Sequence, residues 1–173
     1  DVYKRQADNY NDINGYGNCE HIRSKYGNFD NHPAFKAADE HNTACPIPAS
    51  TTGWYLPSSG QWWDILQNLG GCPDLADKNE QTSSKTGSPF SYVFVWHNQG
   101  DIPAALNKWM EAIPDGDKDV FGESGWYWSS SEYSESHAWG WYFRNTISNL
   151  VECTYQLYNC LLYTSDAADD LTR

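Results

Sequence analysis

GWYWSSSEYSESHAWGWYF, residues 125–143, is the stretch that decides the fold. Within it HAWGWYF alternates as a strand does, with Trp139, Trp141 and Phe143 on one side and Gly140, Tyr142 and then Arg144 on the other. Trp and Phe bury large areas and dominate the packing of small β domains, so the first set is the expected core. The segment NLVECTYQLY repeats the pattern: Val151, Cys153, Tyr155 and Leu157 alternate with Glu152, Thr154, Gln156 and Tyr158. With GWYWSSSEY ahead of them, these segments predict a run of late strands.

Towards the N-terminus the period changes from two to 3.6. Ser58 and Gln61 stand at capping-box spacing, and Trp62, Ile65, Leu66 and Leu69 recur at i, i+3, i+4 and i+7 before Gly70. This predicts a helix over 59–69, with Trp62, Ile65 and Leu66 inward and Trp63, Asp64 and Gln67 towards solvent or a neighbouring loop. A second helix is predicted over 102–113, capped by Asp101, with Leu106, Trp109, Met110 and Ile113 on one face and Pro114 beyond. SYVFVWH (91–97) between them reads as a buried strand. Cys19, Ile22 and Tyr26 share a helical face over 19–26, after a turn-rich stretch at 8–18, and Pro33 can open a short helix through His41. Helices early and strands late predict an α+β domain, with short helices packed on a small, mostly antiparallel twisted sheet.

The chain has 173 residues, 39% hydrophobic and 16% aromatic, with a net charge of −12. That length suits one domain with a real core. No apolar run approaches the roughly 20 residues of a membrane span. The acidic balance argues against a nucleic-acid surface, which needs a basic patch to displace counterions. The two ends read differently from the middle. DVYKRQ (1–6) and CLLYTSDAADDLTR (160–173) resemble translated sequencing adapter and its reverse complement, so 7–159 is expected to be the domain, cut at both ends. Without those ends the net charge is −11, so the acidity belongs to the domain.

Motifs for chemistry are sparse. GYGNCE (15–20) lacks the third glycine and the preceding strand of a phosphate loop, and GESG (122–125) misses the spacing of a nucleophile elbow. The five histidines show no metal-ligand spacing. DGDKD (115–119) places Asp115, Asp117 and Asp119 at alternate positions, as calcium loops begin. Val120 and Trp126 then stand where an EF-hand needs glycine and the bidentate glutamate, so a solvated acidic turn is the plainer expectation. No metal or other cofactor is otherwise called for. Cys19, Cys45, Cys72 and Cys153 allow three pairings, and the sequence does not choose among them.

GWYLPSSGQWWDIL (53–66) resembles the G-W-x-L-P-[ST]-x-x-E-W segment of the formylglycine-generating-enzyme-like branch of the C-type lectin fold. GWYWSSSEYSESHAWGWYF resembles the Y-W-S-S-[ST]-E-Y…A-W-x-x-x-F segment of the Fibrobacter succinogenes major paralogous domain. The resemblance spans roughly 12–159, keeps the family's motif order and lacks its final V-R-P-V strand. It implies a C-type lectin-like fold and a setting in surface lipoproteins or pilus-tip proteins of Bacteroides-type bacteria, outside the cell or on the outer membrane. Residues 133–159 also resemble regions rewritten by a diversity-generating retroelement. Gly140 and Tyr142 stand at positions such regions vary, whereas Glu135, Glu152 and Gln156 lie outside the codon set that adenine changes can reach from Asn.

Two function classes follow. One is a non-catalytic, adhesin- or receptor-like binding domain with an unknown protein or glycan partner. The other is a formylglycine-generating oxidoreductase, which needs a copper-binding cysteine pair, or a calcium-dependent lectin, whose E-P-N and W-N-D signatures are missing. The first is the reading adopted. Its expected face comprises Tyr133, Tyr142, Arg144, Glu152, Gln156 and Tyr158, from adjacent late strands and a loop at 133–137, because their alternating neighbours satisfy the core. Tyr and Arg are common carriers of binding energy.

Overall fold

The computed structural model describes residues 10–45, 47, 49–72, 75, 94–96, 100–112, 120–134, 137–144 and 151–157. The adapter-like ends at 1–6 and 160–173 lie outside these residues. The described elements are α1 (Gly15–Tyr26), α2 (Pro33–Ala44), α3 (Ser59–Asn68), β1 (Phe94–Trp96), α4 (Ile102–Glu111), β2 (Ser124–Ser134), β3 (His137–Arg144) and β4 (Val151–Leu157). The strands form one sheet in the order β1-β4-β3-β2, with each neighbouring pair antiparallel. This is the α+β arrangement that early helices and late strands imply. No described helix is long and apolar enough to cross a membrane.

The helix ends follow local chemistry. Asn14 caps α1 by accepting from the Gly17 N–H, so the helix starts inside the stretch read as turn-rich. It stops at Gly27, whose φ of 76° is left-handed and lets its N–H reach the Arg23 carbonyl. Pro33 opens α2, which runs past His41 to Ala44. Ser58 and Gln61 form the expected capping box on α3, and Asp101 caps α4 through the Ala104 N–H.

The inward face of α3 differs from the expected one. Trp63 and Leu66 are both fully buried at 0% exposure, while Leu69 is exposed and Trp62 and Ile65 are half-buried. The buried strip is thus rotated by roughly one residue, about 100° at 3.6 residues per turn. The reason is tertiary. Trp63 meets Trp141 edge-on at 5.5 Å and is covered from outside by Tyr10, 6.0 Å away. Trp62 instead lies along the sheet, beside Tyr127 and Phe121, with its indole N–H donating to the Trp128 carbonyl. On α4, Ile102, Pro103 and Leu106 are buried but Trp109 is exposed, contrary to the expected face. The buried arc centres between Pro103 and Leu106 and leaves Trp109 at its margin.

The core joins Trp63 and Leu66 to Cys72, Leu75, Ile102, Leu106 and the inward residues of β3, Trp139, Trp141 and Phe143. The alternation read in HAWGWYF is therefore the observed one. Tyr127 stacks flat on Phe143, at 4.5 Å and 7°, and desolvation pushes its hydroxyl pKa up to about 12.

The two motifs, LPSSGQW and WSSSEY, interlock around buried hydroxyls. Ser131 Oγ accepts from the Ser59 N–H at 2.9 Å and donates to Asp12 at 2.9 Å. Asp12 also accepts from the Asn18 amide, which donates in turn to Ser130. The Ser130 N–H bonds the Pro57 carbonyl, and the Gly60 N–H bonds the Asp12 carbonyl at 2.7 Å. A Cβ on Gly60 would stand 2.5 Å from that carbonyl, so the motif's glycine answers to a close backbone approach.

Candidate recognition face

The side of the sheet away from the core is set by register. Trp126 pairs with Tyr142, and Tyr142 with Glu152. One step along, Trp128 pairs with Gly140, and Gly140 with Thr154; Ala138 pairs with Glu132 on one side and Gln156 on the other. Directly paired residues share a face, so these positions lie on one side of the sheet. There Trp126 is exposed, Tyr142 half-buried, and Ala138 and Gly140, the latter expected to be exposed, are buried.

Trp126 and Tyr142 are its described aromatic pair. Their ring centroids lie 4.8 Å apart at 31°, and Trp126 keeps 44% of its surface exposed. Offset ring pairs of this kind are worth about 0.5–1.5 kcal/mol beyond burial, which holds both side chains in one arrangement. Such a pair offers rigid contact area at small entropic cost.

The expected face is assembled only in part. Tyr142, Arg144, Glu152 and Gln156 fall at register positions on this one side. Tyr133 does not. It is half-buried and packs edge-on against Trp139 at 5.3 Å, with the core. The correction has a simple cause: β2 continues to Ser134, with its register to β3 shifting between Glu132 and Ser134, and Tyr133 turns inward there instead of riding on a loop. Tyr158 lies outside the described residues, as do Asp115, Asp117 and Asp119 of the weak calcium candidate. Trp126 was missed in the sequence. GWYW alternates equally well in either phase, and pairing opposite Tyr142 is the signal that separates Trp126 from Tyr127.

Other chemistry is differently placed. Among the described residues no group of three or more His, Cys, Asp or Glu could hold a metal ion. Cys19 and Cys72 are buried thiols, with burial pushing the Cys72 pKa up to about 12 and the Cys19 pKa above its ordinary value. A cleft of about 70 Å³ lies between α1, α2 and residues 52–55. Arg23 at its wall bonds Glu20 and Asp39 and sits 5.1 Å over the Phe29 ring. Small-molecule pockets are usually several times larger.

Comparison of the chain with family models, with curated proteins and with solved structures finds no match.

Proposed function

We propose that this domain is a non-catalytic, adhesin- or receptor-like ligand-binding module of a bacterial cell surface, built on a C-type lectin-like scaffold. The observation that carries the reading is the Trp126–Tyr142 pair: two large rings held together and partly exposed on the side of the sheet that the core does not use. Burying such rings in a partner would remove apolar surface from water without first having to order them. The scaffold part of the proposal is supported by the resemblance of GWYLPSSGQWW and GWYWSSSEY…AWGWYF to that fold's segments. It is also supported by the meeting of those two segments through Ser59 and Ser131. The partner is a protein or glycan met outside the cell. Retroelement diversification of 133–159 belongs to the same proposal, and a template repeat beside a reverse-transcriptase gene in the source DNA would be its mark.

The experiment is a binding screen of the tagged domain against glycans and cell-surface proteins, repeated with Trp126→Ala and Tyr142→Ala. Any partner found should be lost or weakened in both variants while each still unfolds cooperatively as a folded domain. A partner indifferent to both substitutions would place recognition elsewhere.

A further inference from the structure

The cleft between α1, α2 and residues 52–55 shares no residue with the recognition face. Three of its described lining side chains are charged. Arg23 lies between Glu20 and Asp39 and bonds both. Two carboxylates against one guanidinium leave the cleft with a negative charge, in a chain that is itself strongly acidic. We propose that this cleft binds a primary ammonium group on an alkyl stem, presented as the lysine side chain of a protein partner.

Charge separates the ligand classes first. An anion would face both carboxylates, and a neutral group would leave the excess negative charge uncompensated. The carboxylates are within reach: Glu20 and Asp39 are each 42% exposed, so they keep acceptor capacity beyond their bonds to Arg23. The place for a flat cation is already taken, since the Arg23 guanidinium sits 5.1 Å over the Phe29 ring. A compact ammonium with three rotatable donors suits the remaining oxygens better than a second guanidinium does.

The rim suits the stem. Trp54 and Tyr16 line the cleft and keep 51% and 41% of their surfaces exposed. Their ring faces attract a cation, and the same flat apolar surface covers methylenes. Both rings are held in place. Trp54 meets His41 edge-on at 4.8 Å. Asn42 clasps its backbone, accepting the Trp54 N–H at 2.6 Å and donating to the Trp54 carbonyl at 2.9 Å. Tyr16 meets Tyr55 edge-on at 5.9 Å. At about 70 Å³ the cleft is too small to enclose a whole drug-sized ligand, but it admits the end of one side chain.

The test is an NMR titration of the full chain, at low salt, with N-acetyl-lysine methylamide. The neutral norleucine and the acidic glutamate derivatives of the same form are the comparisons. The lysine compound should bind about fivefold or more tightly than the norleucine one, the glutamate one more weakly than either, and added salt should weaken lysine binding. Asp39→Asn and Trp54→Ala should each weaken it about two- to fivefold, with Trp54→Phe recovering part of the loss. Glu123→Gln, which removes the same charge from an exposed residue that does not line the cleft, should leave it unchanged. Circular dichroism checks that each variant is folded. n-Pentylammonium, the same head and stem without a peptide, should bind no more tightly than the lysine compound; tighter binding would assign the cleft to free amines instead. No lysine binding by the wild-type chain would overturn the proposal without recourse to any variant. So would equal binding of the norleucine compound, or an unchanged affinity in Asp39→Asn.

Discussion

The indole N–H of Trp141 donates to Ser59 Oγ at 3.1 Å, across 82 residues of chain. Trp141 is fully buried on the inward side of β3, and Ser59 is the first residue of α3. A buried indole needs a partner for its one donor, and this hydroxyl supplies it in the middle of an aromatic core. The bond therefore ties the sheet to the helix that completes the core.

Ser131→Ala should destabilise the domain by about 1–3 kcal/mol. The substitution removes the acceptor of the Ser59 N–H and a donor to Asp12, and leaves the first of these buried without its partner. Urea unfolding measures the loss. A change within error would mean that water replaces the hydroxyl.

Trp63→Ala should cost about 3–5 kcal/mol, more than Asn68→Ala on the exposed side of the same helix, which should stay within about 0.5 kcal/mol. Trp63 is fully buried against Trp141, whereas Asn68 is exposed and its amide donates to the Asp64 carbonyl of its own helix. Equal losses would contradict the observed rotation of α3.

Trp139→Ala should cost about 3–5 kcal/mol and Tyr142→Ala clearly less, since Tyr142 is only half-buried and its ring pair with Trp126 adds about 0.5–1.5 kcal/mol beyond burial. Thermal unfolding of the two variants side by side decides the strand phase. The reverse order would move the core to the other side of β3.

Stability should fall as pH drops below 6.5, in part through His32. Burial, and secondarily the charge of Lys25, hold its imidazole pKa below the ordinary 6.5. The unfolded chain then takes up the proton first, so stability is lost from pH 6.5 down through the lowered folded value and levels off beneath it. His32 also stands at the N-terminus of α2, where a positive charge is unwelcome. His32→Asn should lose less melting temperature than the wild-type chain between pH 7.5 and 5.5. An equal loss would assign the effect to other groups.

Much of the fold was legible because local chemistry and period carry it. The capping pairs Ser58–Gln61 and Asp101–Ala104 mark helix starts through groups a few residues apart. The alternation of Trp139, Trp141 and Phe143 identifies the inward side of β3, since three large rings on one side leave no other choice. Four expected face positions share one side of the sheet for the same reason, while Tyr133 failed where a strand's length was underestimated.

By itself, then, the sequence determined the element types, their order and the buried side of β3, because each depends on neighbours within a turn or two of chain. Only the tertiary structure decided that Trp63 rather than Trp62 enters the core, since Tyr10 and Trp141 close over it from distant parts of the chain. It likewise decided that Trp126 stands beside Tyr142, a pairing made by register between two strands. Burial is a property of what packs against a residue from afar, and period alone carries no record of that.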